Sequence, residues 1–253
     1  MKSFVMMLSF FTRIPVKATD GIDEAAYKKG IAHLPVIGLI IGVATGAVSL
    51  LAVWTGPYIA AFLTLLVYFL LTGGLHADGL ADTVDAFGAR RDREKTLEIL
   101  KDSHTGAFGV LALVMLVVGD IAALAGAGRA AWLFPLVGRT AALLTGRCFN
   151  CARPGGLGQW FVDGVKTVHI IYNGALFAAA AAAAAIDYGH MAFAAARFAV
   201  LMGAFVLAAG LTLLVVSRFA KRIGGVTGDI VGFYVEASQL VFLVLAASAQ
   251  ALL

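Results

Sequence analysis

Long apolar runs, each bounded by charged or glycine-rich stretches, set the pattern of this chain. Seven of them approach the length of a membrane crossing: residues 33–54, 57–74, 105–124, 131–146, 172–186, 191–216 and 230–253. About 20 apolar residues cross the hydrocarbon core of a bilayer. The pattern therefore predicts an all-α fold, a polytopic transmembrane helical bundle of about seven spans. The fourth run carries Arg139, and the fifth is held together by the tract Ala178–Ala185. Alanine is an excellent helix former, and its small side chain suits close packing against neighbouring helices. A shorter apolar stretch at 3–11 predicts a helix lying at the membrane interface, inside an N-terminal segment of residues 1–30. One integral-membrane domain over residues 1–253 accounts for the whole pattern.

Composition supports that solvent. Hydrophobic residues make up 61% and charged residues 13%, with a mean hydropathy of +0.92. Soluble domains hold roughly 45–50% and 25% of these classes, and a small domain cannot hide so much apolar surface from water. Disorder, a disulfide-stapled secreted domain and a soluble nucleic-acid binder are excluded, leaving lipid as the bulk partner. Cys148 and Cys151 form a single CxxC without a second pair or a redox context, so they read as unpaired thiols.

Charge orients the spans. With the N-terminus in the cytoplasm, segments 1–32, 75–104, 147–171 and 217–229 hold sixteen of the nineteen basic residues. That is the positive-inside distribution. Nearly all remaining polar sequence falls on the same face, which places the expected active site at the cytoplasmic surface.

Residues 73–109 are the acidic centre. Asp78, Asp82 and Asp85 stand at i, i+4 and i+7, one helix face with three like charges. Such a ladder is unfavourable unless a cation shares it. Gly73, Gly74 and Gly79 strip side chains from the backbone beside it, as close approach of a ligand or helix requires. Hard carboxylate oxygens without cysteine select Mg²⁺ or Mn²⁺, with Asp102 or Asp229 as further ligands or water-orienting groups. Arg90, Arg91, Arg93, Lys95 and Lys101 follow the aspartates and suit a phosphate or diphosphate. Asp102-Ser103-His104 opens the next span, where free helix amides can face an anion. His76, two residues before Asp78, is a candidate base beside Asp85.

A second polar patch lies at 217–229. Arg218, Lys221 and Arg222 make one cationic helix face, and the glycine-rich turn Gly224–Gly228 leads to Asp229. That turn reads as a phosphate cradle, with Gly225, Thr227 and Gly228 as contacts. Glu236 sits inside an apolar span, where a carboxylate implies function or pairing. Arg139 and Arg147 are candidate counter-ions, and Asp120 reads as a structural bond between helices. The middle loop, with Arg153-Pro154-Gly155-Gly156-Leu157-Gly158 and Trp160, offers the material for a lid.

These motifs resemble the adenosylcobinamide-GDP ribazoletransferase family, also called cobalamin-5′-phosphate synthase. The string from Gly73 through Thr83, with Asp85 after it, carries most of the likeness. Met7–Pro15, Gly30–Gly42, Arg93, Leu97–Ser103 and Thr227-Gly228-Asp229 with Glu236 carry the rest. Gln239 stands where the family is expected to have a second glutamate, and Ala77 where it has a larger apolar residue. The resemblance implies transfer of the phosphocobinamide part of adenosylcobinamide-GDP to the 3′-hydroxyl of α-ribazole or its 5′-phosphate. GMP leaves, Mg²⁺ is the implied cofactor, and the setting is a prokaryotic inner membrane. A homo-oligomer or a complex with other enzymes of the cobalamin pathway fits the same implication. Asp82, Asp85 and His76 are then the expected catalytic residues. Arg93, Lys101, Ser103, the Arg218 face, the Gly225–Gly228 turn and Glu236 are the expected substrate contacts. Two other classes share the aspartates: a polytopic ion or metabolite transporter, and a CDP-alcohol-type lipid phosphotransferase.

Overall fold

The structure, a computed structural model, describes residues 2–16, 23–102, 104–186 and 193–250. Its helices run α1 (Lys2–Phe11), α2 (Glu24–Gly30), α3 (Leu34–Ser49), α4 (Ala52–Thr55), α5 (Pro57–Thr72), α6 (Leu75–Gly88) and α7 (Arg93–Ile99). They continue as α8 (Ala107–Ala127), α9 (Phe134–Cys148), α10 (Gly156–Gly164), α11 (Thr167–Ala185), α12 (Ala194–Ile223) and α13 (Gly228–Gln250). Among the described residues the only β contact is an isolated parallel bridge between Cys151 and Val226. The fold is the expected all-α multi-pass bundle.

Helix α13 is its axis, packing against α6, α8, α9 and α12. Buried side chains make up 56% of its apolar window, against 28–33% in the other long apolar helices. Those others turn large apolar residues outward, for example Val114 and Val118 on α8 and Val206 and Leu214 on α12, all more than half exposed. Hydrocarbon, not water, is the medium such rows fit. Trp54, 80% exposed beside the Gly56–Pro57 turn, stands where a span ends and an indole meets the headgroups.

Five helical runs are long and apolar enough to cross a membrane, six if the bent pair α5 and α6 counts as one span. Two features separate this from the expected seven. Helix α5 has 16 residues and meets α6 at 92°. Residues 107–148 form one nearly continuous helical stretch of 42 residues, yet the chain reverses within it. Gly119 faces Leu240 and Gly126 faces Ala247 along α8, whereas Gly138 on α9 faces Val235 and Gln239. Helices α8 and α9 thus run in opposite directions along α13.

The N-terminal helix buries Met6, Met7, Leu8 and Phe11 and packs on α2 and α3. Two expected loops are corrected. The basic and glycine-rich loop is mostly helix, because α12 continues to Ile223 and only residues 224–227 separate it from α13. The middle loop holds helix α10.

Candidate active site

The aspartates are delivered by a break in the backbone. Gly73 and Gly74 both adopt left-handed conformations, with φ of 66° and 72°, which glycine adopts without a Cβ clash. They end α5 and start α6 at a steep angle, so the Asp78–Asp85 face turns out of the apolar run. Asp78 is exposed, while Asp82 and Asp85 are half-buried. Buried Ala77, Leu80, Ala81 and Thr83 hold the opposite side of α6 in the protein.

Gly79 brings a fourth carboxylate to this face. A Cβ there would sit 2.9 Å from the Asp229 carbonyl oxygen and 3.0 Å from its Cα. The first turn of α13 therefore rests directly on α6. Desolvation and the neighbouring charges of Asp78, Asp229 and Asp85 push the Asp82 carboxyl up to about 6. Among the described residues, no Lys or Arg forms a salt bridge with any of these four carboxylates.

The donor set is all hard oxygen, the chemistry of Mg²⁺ sites. Among the described residues, however, no three His, Cys, Asp or Glu side chains converge on a single point. Helix geometry supplies the reason. Seven residues of rise separate Asp78 from Asp85 by about 10 Å along the axis, far beyond the ~2.1 Å ligand distance of one such ion. The face fits an open site completed by substrate oxygens, not a closed protein cage.

The other expected residues divide. Asp85 Oδ2 accepts from the Gly106 amide at 2.7 Å, satisfying a donor ahead of the first turn of α8. Asp102 is drawn elsewhere: its Oδ1 lies 2.6 Å from His104 Nδ1 and accepts from the His104 amide at 3.0 Å. Lys101 is exposed, and Ser103 lies outside the described residues. Arg93 Nε donates to the Ile223 carbonyl at 2.9 Å, which ties α7 to the end of α12.

Arg222 is not free for a leaving phosphate in the way its helix face suggested. It donates to the carbonyls of Phe87 and Arg91 and lies over the Phe87 ring. Arg218 and Lys221 are exposed. The glycine turn is likewise occupied: the amides of Gly224 and Gly225 donate to Ala220, and that of Val226 to Asn150. A Cβ at Gly225 would collide with the Asn150 carbonyl oxygen. This turn docks on the Asn150–Ala152 segment, with its Gly224, Gly225 and Val226 amides already engaged. Thr227 Oγ1 donates to Asp229 Oδ2 at 3.2 Å and caps α13 through the Ile230 amide.

A cavity of about 230 Å³ opens beside the aspartate face, lined by Asp78, Gly79, Gly228 and Asp229. His76 lines it too, 7% exposed, its ring stacked on Phe11 at 5.6 Å. Helix α10 contributes Leu157, Gly158 and Phe161, so the middle loop does cover this region. Behind the cavity lies a buried network. Tyr68 donates to Glu236 Oε1 at 2.7 Å, and Gln239 Nε2 donates to Glu236 Oε2 at 3.0 Å. Glu236 is thus a buried partner of two side chains. Arg139 enters the network through Gln239, and Arg147 stays out, bonded to Thr167. Asp120 is buried, and its Oδ1 has no hydrogen-bond partner among the described residues. Cys148 and Cys151 are free thiols.

Sequence reasoning passed over Tyr68. A tyrosine inside an apolar run reads as a packing or interfacial residue, and only its distance partner, Glu236, betrays it. Arg153, read in the sequence only as part of the middle-loop lid, donates from its Nη2 to the Leu97 carbonyl at 2.6 Å, and its charge acts on Asp229.

A family profile described as cobalamin-5-phosphate synthase matches residues 3–247 of the chain. The chain is 38% identical over 257 residues to a protein of Escherichia coli named adenosylcobinamide-GDP ribazoletransferase, covering 96% of this chain and 98% of the relative. Proteins of the same name from Alkaliphilus oremlandii and Acetivibrio thermocellus are each 35% identical, with 96% and 97% of both chains covered. No solved structure matches the chain.

Proposed function

Because the chain belongs to the cobalamin-5-phosphate synthase family, we propose that it joins adenosylcobinamide-GDP to α-ribazole or its 5′-phosphate and releases GMP. The observation that carries this reading is the meeting of Asp78, Asp82 and Asp85 on α6 with Asp229 on α13, four carboxylates beside a cavity of about 230 Å³. The family match supports it over a transporter or a CDP-alcohol phosphotransferase built on the same aspartates.

In this reaction the ribose 3′-hydroxyl attacks the phosphorus on the cobinamide side of the diphosphate. A new O–P bond forms, the bridging O–P bond breaks, the hydroxyl proton passes to a base, and GMP departs. Asp82, with Asp78 or Asp229 beside it, would hold Mg²⁺ in an open site that substrate oxygens complete. Bound there, the ion supplies neutralising charge for the diphosphate, where a transferase needs it most. Asp85 is assigned as the base, since Gly106 engages only one of its oxygens; His76 is second. Arg218 and Lys221 are assigned to phosphate at the exposed rim.

The chain is a multi-pass membrane protein, and we assign it to a prokaryotic inner membrane. Counting α8 and α9 as separate crossings, and α5 as a crossing that ends at the Gly73–Gly74 break, supports seven spans. The basic residues then support a cytoplasmic N-terminus and active site. The test is GMP release by the purified protein in detergent. Release that requires both substrates and Mg²⁺ supports the reading, and release without the ribazole acceptor contradicts it.

A further inference from the structure

The cavity beside the aspartate face has two chemically different ends. Asp78, exposed, and Asp229, half-buried, stand at its mouth, while the buried Ala142 and Val235 close its inner end. Between them the walls are aromatic and aliphatic: Phe10 and Phe11 from α1, Tyr27 from α2, Leu157 and Phe161 from α10. Arg139 and His76 also border the space, but the Arg139 Nε and Nη2 and the His76 Nδ1 are sealed inside the protein and offer no donor to a guest. A ligand that passes the carboxylates therefore meets apolar surface, which favours apolar groups and penalises polar ones left without partners.

Those walls are held in place by contacts of their own. Phe10 meets Tyr27 edge-on with ring centroids 5.9 Å apart, and Phe11 stacks on the His76 ring. Lys28 of α2 pairs with Asp163 of α10 at 3.4 Å. A Cβ at Gly164 would sit 3.1 Å from the Lys28 Cα, so the end of α10 rests directly on α2. Three short helices from separate parts of the chain thus make one aromatic compartment. Rings already fixed in this way select a flat aromatic ligand, through offset or edge-on contact.

Size narrows the choice. Drug-sized ligands occupy roughly 300–1,000 Å³, so a cavity of about 230 Å³ admits one bicyclic base and not a corrin. Each substrate of the transfer carries one such base, guanine on the donor and benzimidazole on the acceptor. Guanine has a carbonyl, a ring N–H and an amino group, all costly to bury without partners. The benzimidazole has one ring nitrogen beyond its glycosidic one. We propose that the compartment walled by Phe10, Phe11, Tyr27, Leu157 and Phe161 binds the benzimidazole base of the acceptor and sets its ribose against the Asp78–Asp229 mouth. The proposal rests on the transferase reading, which supplies the acceptor. It adds that the acceptor is chosen by apolar fit at α1, α2 and α10, while the carboxylates act on the hydroxyl that the bound base presents.

Calorimetry on the full chain in detergent, with α-ribazole, free 5,6-dimethylbenzimidazole and guanosine as probes, tests this. On the wild type the free base should bind and displace α-ribazole, and guanosine should leave α-ribazole in place. Leu157→Trp, which fills the compartment, should weaken α-ribazole binding roughly tenfold or more. Phe161→Ala, which removes a wall, should weaken it about threefold to tenfold. Both variants should keep the wild-type affinity for adenosylcobinamide-GDP, with thermal unfolding reporting whether each is folded. Displacement of α-ribazole by guanosine, or failure of the free base to displace it, would overturn the assignment. So would folded variants that bind α-ribazole unchanged, or that lose adenosylcobinamide-GDP instead. The wild-type competition decides the matter where neither variant folds. If the base binds as expected but the wild type releases no GMP, the base site stands and the transferase reading falls.

Discussion

Asp82 concentrates the physics of the site in one carboxyl. With its folded-state value near 6 against an ordinary carboxyl value of 3.8, the native protein binds more protons than the unfolded chain between those limits. Native stability from this group therefore falls as pH rises from about 4 to 6, the reverse of a salt-bridged aspartate. We expect the metal-free Asp82→Asn variant to be more stable than wild type at pH 7, and the difference to close as pH falls through 6. Thermal unfolding of both proteins across that range checks it, and a difference independent of pH would show that the crowding of charges is not felt. The buried network makes the opposite prediction. Tyr68→Phe removes the 2.7 Å bond to Glu236 and should cost about 1.5–3 kcal/mol, read by denaturant unfolding; a loss within error would mean that Glu236 is satisfied by Gln239 alone. The Asp78–Asp85 ladder was legible from spacing, because helical periodicity fixes a face without knowledge of tertiary contacts. The network was only half legible. Glu236 announced itself as an acid in an apolar run, whereas its partners Tyr68 and Gln239 are ordinary residues until α5 and α13 are brought together. Gln239, standing where a glutamate was expected, accepts from Arg139 through one end of its amide and donates to Glu236 through the other, which a carboxylate cannot do.

At the scale of elements, the decisive contact is α6 on α13. It depends on Gly79, since any Cβ there meets the Asp229 backbone at 2.9–3.3 Å. Gly79→Ala should destabilise the protein by about 1–3 kcal/mol through overpacking. It should weaken Mg²⁺ dependence more than the substitution of an exposed α6 neighbour, because it separates Asp229 from Asp82. Unfolding and Mg²⁺ titration of the same variant check both effects; a wild-type response in both would sink the contact's role. The glycine turn before α13 shows where the sequence misleads. Glycines can free amides for a phosphate or allow two backbones to touch, and the composition is identical in both cases. Here the Asn150 carbonyl takes the Val226 amide and the second use prevails.

Across the whole molecule, the apolar pattern foretold class and approximate span number, while the exact crossings depended on geometry that composition does not encode. The right-angled break after α5 falls at Gly73-Gly74 and the reversal between α8 and α9 falls near Gly128-Arg129, where the runs separate, but their angles are not written in the composition. The proposed topology places residues near 90 and 225 on one side of the membrane with the N-terminus. Single cysteines introduced there should be labelled only from the cytoplasmic face, in a background lacking Cys148 and Cys151; labelling from the opposite face would invert the assignment. The central claim is that carboxylates from α6 and α13 act together on one Mg²⁺-dependent transfer. Its most direct test is the Mg²⁺ dependence of GMP release in Asp82→Asn and Asp229→Asn, with unfolding curves confirming that both variants are folded. The account predicts that both shift the Mg²⁺ midpoint upward and lower the rate at saturation. A midpoint unchanged from wild type in both variants would contradict it.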